Sequence, residues 1–548
     1  MQLDDKALAE ILLKGNYISA EDFKTAQDFA SKKHGTVLDY FFSAGLLNRD
    51  LLGQAIAESM NLLYSDLNTN IPSATQIAKI PLELAQKYRL VLFAENKDAL
   101  VVTSDDPQAN GILEALATVF PGRKIALTYS LSEDIDAILN QYRKPLETRF
   151  SKIIAEQKRI APEIIEEILS DAISYHASDI HFEPRKTDVI VRFRVDGVLQ
   201  EAGSLPKEHY ENILNRIKVQ SRLRIDEHYA AQDGSMHYEK ENLVVDFRTS
   251  IIPIVEGEKV VLRVLSSYLQ ALNLSELGLS DRSQNIVLTA ADKPFGMILV
   301  VGPTGSGKTT TLYALLKILN KADVNITTIE DPVEYKVHGL NQIQVNVQTN
   351  LTFAKGLRSI VRQDPDIILV GEIRDEETAE IAVNAALTGH LLLSTFHAND
   401  AATAIPRLLD MGIEPFLLAS TLEVIIAQRL VRKICDNCRY SFVIPKEKIN
   451  LNSSLKDKYF TGTEITLYKG KGCSVCGHTG YKGRAAIFEF INMTPTLQDL
   501  VLKNPASQQI WELAQLEGSL SLFEDGLEKV KNGLTTLEEL LRVAQAPK

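Results

Sequence analysis

The chain has 548 residues, 45 % hydrophobic and 24 % charged, with a formal net charge of −12. That length exceeds one hydrophobic core and implies about three or four domains; the acidic balance argues against a dedicated nucleic-acid binder, because phosphate neutralisation needs clustered Lys and Arg. No apolar run is long enough to span a bilayer, and Met1-Gln2-Leu3-Asp4-Asp5 lacks the basic and apolar parts of a signal peptide, so a cytoplasmic chain is expected, with any membrane association peripheral.

Residues 1–62 read as a helical domain. Leu8, Ile11 and Leu12 share a helical face, Gly15 is a stop, and Ser19 followed by Asp22 resembles a capping signal. Val37, Leu38, Phe41 and Phe42, then Gly45, then 51–60 repeat that layout weakly. Residues 63–143 change to a small α/β unit, with strand-like 89–93 and 99–103. The polar stretch 144–158 reads as a linker. A second α/β domain, 159–265, opens on a helix from Pro162 and continues with strands at 189–195, 244–248 and 259–265. A connection at 266–285 leads to the last domain, 286–548.

That domain begins with the most informative stretch of the chain. Gly302-Pro303-Thr304-Gly305-Ser306-Gly307-Lys308-Thr309 fits G-x-x-x-x-G-K-[ST], with Thr310 following. Glycines let successive N–H groups surround an anion, Lys308 reaches the outer phosphates of ATP, and the Thr309 hydroxyl is placed to ligate Mg²⁺. The apolar run 297–301 before it and a helix over 309–319 after it supply the strand and helix the motif needs.

Three more apolar runs end in chemistry: 326–329 at Glu330-Asp331, 367–370 at Gly371-Glu372, and 391–395 at Phe396-His397. Ligands of doubly wound sheets bind beyond the carboxyl ends of parallel strands, so these endings are expected to converge on one nucleotide. Hydrolysis needs a carboxylate at the attacking water and cations at the transferred phosphoryl group. Glu372 is the candidate base, Glu330 and Asp331 candidates for a Mg²⁺-bound or attacking water, and His397 a γ-phosphate sensor. The bland alternative for each is a helix cap or a surface charge.

The four cysteines form two pairs, Cys435-x-x-Cys438 and Cys473-x-x-Cys476. In a reducing compartment this favours metal over disulfides, and four thiolates close a structural Zn²⁺ site, carried on an insert at about 435–476.

Together these residues resemble the secretion ATPase superfamily, nearest the type IV pilus assembly and type II secretion ATPases (PilB/GspE type). The tract 361–375 resembles its atypical Walker B signature, 329–335 its Asp box, and 388–390 with 397–400 its His box, Ala398 standing where Thr is more usual. Residues 177–184 and 191–197 resemble the domain before the core, and 472–484 the tetracysteine segment that retraction ATPases usually lack. The resemblance implies a multidomain α/β fold: a RecA-like phosphate-loop ATPase core, a preceding PAS-like α/β domain, and N-terminal helical and small α/β adaptor domains. It implies a homohexameric motor for pilus assembly at the cytoplasmic face of the inner membrane, acting on a polytopic platform protein. It also implies that Arg194, Arg248 and Arg263 complete the site, with Arg429 and Arg432 as further candidates; arginine grips phosphate oxygens in a fork. Type II secretion or DNA uptake is the alternative, and a nucleic-acid translocase a distant one. The N-terminal region resembles a cyclic di-GMP-binding domain, but Lys6, Thr36, Leu8, Leu38 and Ser59 depart from its motifs, so docking of other machine components is preferred there.

Overall fold

The structure, a computed structural model, describes the chain apart from residues 1–10, 34–36, 38–39, 42–45, 48, 68–69, 71, 96–98, 140–148, 152, 155–159, 241–242, 266–273, 347, 474–475, 478 and 547–548. Lys6, Leu8, Thr36, Leu38, Phe42 and Gly45 therefore lie outside the described residues. Among the described residues, no helix is long and apolar enough to cross a membrane.

Near the N-terminus, Ser19 Oγ accepts from the Asp22 amide at 3.0 Å, and helices Ala20–Lys33 and Arg49–Ser59 enclose Leu12, Ile18, Phe41 and Ile56. Tyr129 joins that core from β3 of a three-stranded sheet: β1 (Leu90–Glu95), β2 (Ala99–Ser104) and β3 (Lys124–Tyr129). The Ser65 amide also donates to the Tyr129 carbonyl, so helical unit and sheet are stitched along one edge.

The next sheet has order β6-β5-β4-β9-β8-β7, every pair antiparallel. Its strands are β4 (Asp179–Pro184), β5 (Asp188–Val195), β6 (Val198–Pro206), β7 (Gln232–Lys240), β8 (Leu243–Ile254) and β9 (Gly257–Leu265). Period-2 alternation sorts its faces. Ile180, Phe182, Val189, Val191 and Phe193 pack on helices Ile160–Ser174 and Tyr210–Gln220, while Asp179, His181 and Glu183 project the other way. Phe150, which falls in the expected linker, is 1 % exposed in this core, and Arg149 pairs with Glu167 and Asp171. Ile153 and Ile154 pack against the same core, so the described part of this stretch is anchored by its apolar side chains.

The C-terminal domain is built on a seven-stranded sheet, order β12-β11-β13-β14-β10-β15-β18. Its strands are β10 (Gly296–Val301), β11 (Ile326–Glu330), β12 (Asn341–Gln344), β13 (Ile367–Ile373), β14 (Leu391–Phe396), β15 (Leu422–Ile434) and β18 (Tyr481–Asn492); the hairpin β16 (Arg439–Pro445) and β17 (Glu464–Gly470) sits between the last two. All neighbours are parallel except β15 with β18. Parallel strands need cover on both faces, which explains their unbroken apolar runs. Met297, Leu299 and Val301 enter one helix-covered core, and Ile298 and Val300 the opposite one.

Candidate functional site

The sheet order places the ends of β11, β13, β14 and β10 side by side. The phosphate loop follows β10 and leads into helix Lys308–Leu319. Gly302, Gly305 and Gly307 all have positive φ, at 147°, 77° and 86°. Pro303, Thr304 and Gly305 form the exposed rim, while Thr309 and Thr310 are half-buried in the first helical turn. Lys308 is buried, and its ammonium donates to the carbonyls of Gly302 at 3.0 Å and Pro303 at 3.1 Å. Burial pulls its pKa down, and the Glu372 carboxylate acts in the opposite direction.

Gln428, on β15, is a residue to which the sequence alone assigns no role. It is 1 % exposed, accepts from Thr311 Oγ1 at 2.8 Å and donates to the Ser306 carbonyl at 2.9 Å, so it fixes the loop from beneath. Ser306 Oγ is buried without a partner inside the loop. An orphaned hydroxyl beside a cradle of amides and an ammonium fits a phosphate group. At Gly302 a Cβ would lie 2.5 Å from the Gln428 carbonyl and 2.8 Å from Ser306 Oγ, whereas at Gly305 it would meet nothing within 4 Å. Gly302→Ala is therefore expected to weaken binding of a fluorescent ATP analogue by roughly tenfold or more, since about 1.4 kcal/mol suffices for that factor and the clash adds to backbone strain. Gly305→Ala, which meets only the strain, should weaken it less; equal losses would contradict the clash argument.

Glu372 lies where the β13–β14 register is irregular, between Val370 and Ile373. Such bulges re-aim side chains. Ser394 Oγ donates to the Val370 carbonyl at 2.8 Å and Thr395 Oγ1 to that of Gly371 at 2.7 Å, so the kink is pinned. The Glu372 carboxylate, 12 % exposed, meets His397 Nε2 at 3.2 Å through one oxygen and Arg374 through the other. Arg374, its pKa raised by the hydrogen bond it donates to Glu372, also feels Asp331.

Glu330 does not join this group. It is 3 % exposed and accepts from Tyr313 OH at 2.5 Å, Thr328 Oγ1 at 2.7 Å and Gln342 Nε2 at 3.4 Å. Burial raises its pKa against those hydrogen bonds. The sequence made it a candidate for a Mg²⁺-bound or attacking water; here its carboxylate is engaged by Tyr313, Thr328 and Gln342. Adjacent residues at a strand end project oppositely, so Asp331 faces Arg374 while Glu330 turns inward.

The arginines divide by partner. Asp179 is the register partner of both Arg194 and Arg263, and Arg263 of Arg248, so the three form one row across β5, β4, β9 and β8. Arg194 Nε lies 3.5 Å and Arg263 Nε 3.1 Å from the Asp179 carboxylate. Arg248 reaches the ATPase sheet, donating to the Val333 carbonyl at 2.8 Å and pairing with Glu334 at 3.1 Å. Arg429 donates to the Asn399 carbonyl at 3.3 Å. Arg432 pairs at 2.8 Å with Glu539 and lies over the Tyr481 ring, which commits it to structure. Burial alone would raise Glu539, but hydrogen bonds from Arg542 and Arg432 hold it at about 2.

The four cysteine sulfurs lie within 4.8 Å of one another, with Sγ–Sγ separations of 3.9, 3.9 and 3.7 Å for Cys435–Cys473, Cys438–Cys476 and Cys473–Cys476. A disulfide is about 2.05 Å long. A tetrahedron of thiolates about 2.3 Å from one ion has edges of about 3.8 Å. The Cys473 and Gly480 amides donate to Cys476 Sγ at 3.2 and 3.3 Å, as thiolate ligands require. The donor set and spacing fit a metal ion. At Gly470 a Cβ would come within 2.1 Å of the Gly480 carbonyl, so the two loops can cross there only on glycine.

Strand order, phosphate loop and the Glu372–His397 pair define a RecA-like phosphate-loop ATPase. The family model described as "Type II/IV secretion system protein" matches residues 155–542, and an MshEN domain model matches 60–149, the stretch read as the adaptor. The chain belongs to the type II/IV secretion ATPase family. It is 37 % identical to the type IV pilus assembly ATPase PilB of Myxococcus xanthus over 97 % of this chain and 98 % of that one. It is 44 % identical to type II secretion system protein E of Pseudomonas aeruginosa over 76 % and 82 % of the two chains. The PilB of Thermus thermophilus is 37 % identical over 92 % of this chain, which spans 59 % of that protein's length. In fold it is similar to the Legionella pneumophila ATPase DotB, with a TM-score of 0.53 at 20 % identity, covering 71 % of this chain and 97 % of that one.

Proposed function

We propose that this ATPase is a homohexameric motor that powers type IV pilus assembly from the cytoplasmic face of the inner membrane, acting on a polytopic platform protein. The observation that carries the reading is the Glu372–His397 pair, whose carboxylate acts on the Lys308 ammonium, in a chain similar along nearly its whole length to a pilus assembly ATPase. The tetracysteine cluster and the long N-terminal region favour extension over retraction. Type II secretion is the second reading, supported by the 44 % identity to a type II secretion protein.

ATP would be held by the backbone amides of 304–309, Lys308 and Ser306, and the Thr309 hydroxyl would hold Mg²⁺. Mg²⁺ supplies charge neutralisation on the phosphate oxygens. Glu372 orients the attacking water and takes its proton through the oxygen that Arg374 holds in this structure, which that arginine must release for the task. His397 holds the other side of that carboxylate and reports the outer phosphate. Arg248, and Arg194 and Arg263 once freed from Asp179, add cationic charge. Zn²⁺ in the cysteine cluster is structural, since four protein ligands leave no open position. The N-terminal units dock other machine components, and the MshEN match over 60–149 makes the second unit, rather than 1–62, the candidate for cyclic di-GMP.

A chromosomal Lys308→Ala allele tests the reading. Loss of surface filaments by electron microscopy, with protein secretion intact, is the expected result. Filaments intact with secretion lost would select the second reading, and both intact would overturn both.

A further inference from the structure

Glu489 is a carboxylate in the apolar run of β18, 6 % exposed, with no part in the chemistry above. It accepts from the Ala401 amide at 2.8 Å, and the amide of Leu522, the first residue of helix Leu522–Lys531, is near enough to lower its pKa. Burial pushes its carboxyl up to about 7, Asp400 pushes the same way, and the two amides and the Arg429 guanidinium pull it down. Arg429 and Glu489 lie on one face of the β15–β18 ribbon, because Ala427 pairs with Glu489 and Arg429 is two residues on. The intervening position, Gln428, serves the other face and holds the phosphate loop.

His397 belongs to the segment these two residues grip. Arg407 donates to the His397 carbonyl, Arg429 to that of Asn399, and Glu489 accepts from Ala401. The imidazole then reaches Glu372 at 3.2 Å. Of these bonds the one from the Ala401 amide to Glu489 is buried, where an unmade hydrogen bond is costly.

We propose that Glu489 is a positioning residue that sets His397 against Glu372, and that the β15–β18 ribbon thereby fixes the phosphate loop with one face and the His397 loop with the other. The inference rests on the catalytic reading of Glu372 and His397. It assigns Glu489 no contact with ATP.

Turnover of the full chain with Mg²⁺-ATP, measured for wild type, Glu489→Gln, His397→Ala and the double variant, tests it. Glu489→Gln should lower kcat about tenfold at unchanged KM, the scale expected when a catalytic group is displaced by a fraction of an ångström. In the His397→Ala background the same change should have no further effect, because nothing is left to position. Independent multiplication of the two losses, an unchanged kcat in Glu489→Gln, or an unchanged kcat in His397→Ala would each overturn it; the last alone would also remove the role of His397. If Glu489→Gln unfolds, Glu489→Asp carries the same test, since it keeps the charge but withdraws the oxygens from the two amides.

Discussion

Glu372→Gln is expected to lower steady-state ATP turnover by about 10²–10⁴-fold, the contribution of a positioned general base, while leaving the fold and ATP binding in place. The substitution is nearly isosteric. The amide oxygen still accepts from Arg374, and the bulge that aims the side chain is held by backbone contacts from Ser394 and Thr395 that the change leaves alone. Lys308 loses a carboxylate that raises its pKa, but its hydrogen bonds to the Gly302 and Pro303 carbonyls and the loop amides are left in place. The loss should therefore fall on kcat, with KM unchanged or lower because a negative charge near the phosphates has gone. Retained turnover would remove the assignment and move the base to Asp331, the neighbouring carboxylate that faces Arg374.

Removing the metal is expected to have the second largest effect. Purified wild type should contain about one Zn²⁺ per chain by elemental analysis, the stoichiometry of one four-thiolate site. Cys476→Ser, or a chelator strong enough to strip the site, should abolish it. Structural zinc binding is worth about 10–16 kcal/mol in small metal-folded units, comparable with the whole stability of a domain, about 5–15 kcal/mol. The knuckles and the β16–β17 hairpin should then become protease-sensitive. The cluster closes the far end of the same ribbon that carries Gln428 and Glu489, so turnover should fall with the metal and return when Zn²⁺ is restored. Wild-type turnover in a protein shown to be free of metal would disconnect the insert from the site.

The strand–loop–helix of the phosphate site was legible because its signals are local: an apolar run, obligatory glycines, then a helical repeat. The same holds for Cys435, Cys438, Cys473 and Cys476, whose spacing alone fixes the ligand set. The neighbouring ends of β13, β14 and β10 could be expected from the rule for parallel sheets, and the sheet order matches it. Glu330 shows the limit of that rule. Thr328 and Glu330 share a strand face, and whether that face meets ligand or core depends on Tyr313 and Gln342, which sequence does not place. Glu489 did carry a signal, a lone carboxylate inside Ala485-Ala486-Ile487-Phe488-Glu489-Phe490-Ile491, the kind of buried charge that must be matched to be tolerated. Gln428 carried none, because a glutamine beside arginines in a strand reads as surface. Asp179 likewise gave no hint that one carboxylate holds both Arg194 and Arg263.

The most direct measurement is a structure of the protein with Mg²⁺ and a non-hydrolysable ATP analogue. The account predicts Lys308 on the outer phosphates, Glu372 within hydrogen-bond reach, about 3 Å, of a water in line with the γ-phosphate, His397 still against Glu372, and Glu330 still held by Tyr313. A bound analogue whose γ-phosphate is approached by Glu330 while Glu372 stays paired with Arg374 away from the water, in every subunit, would contradict it.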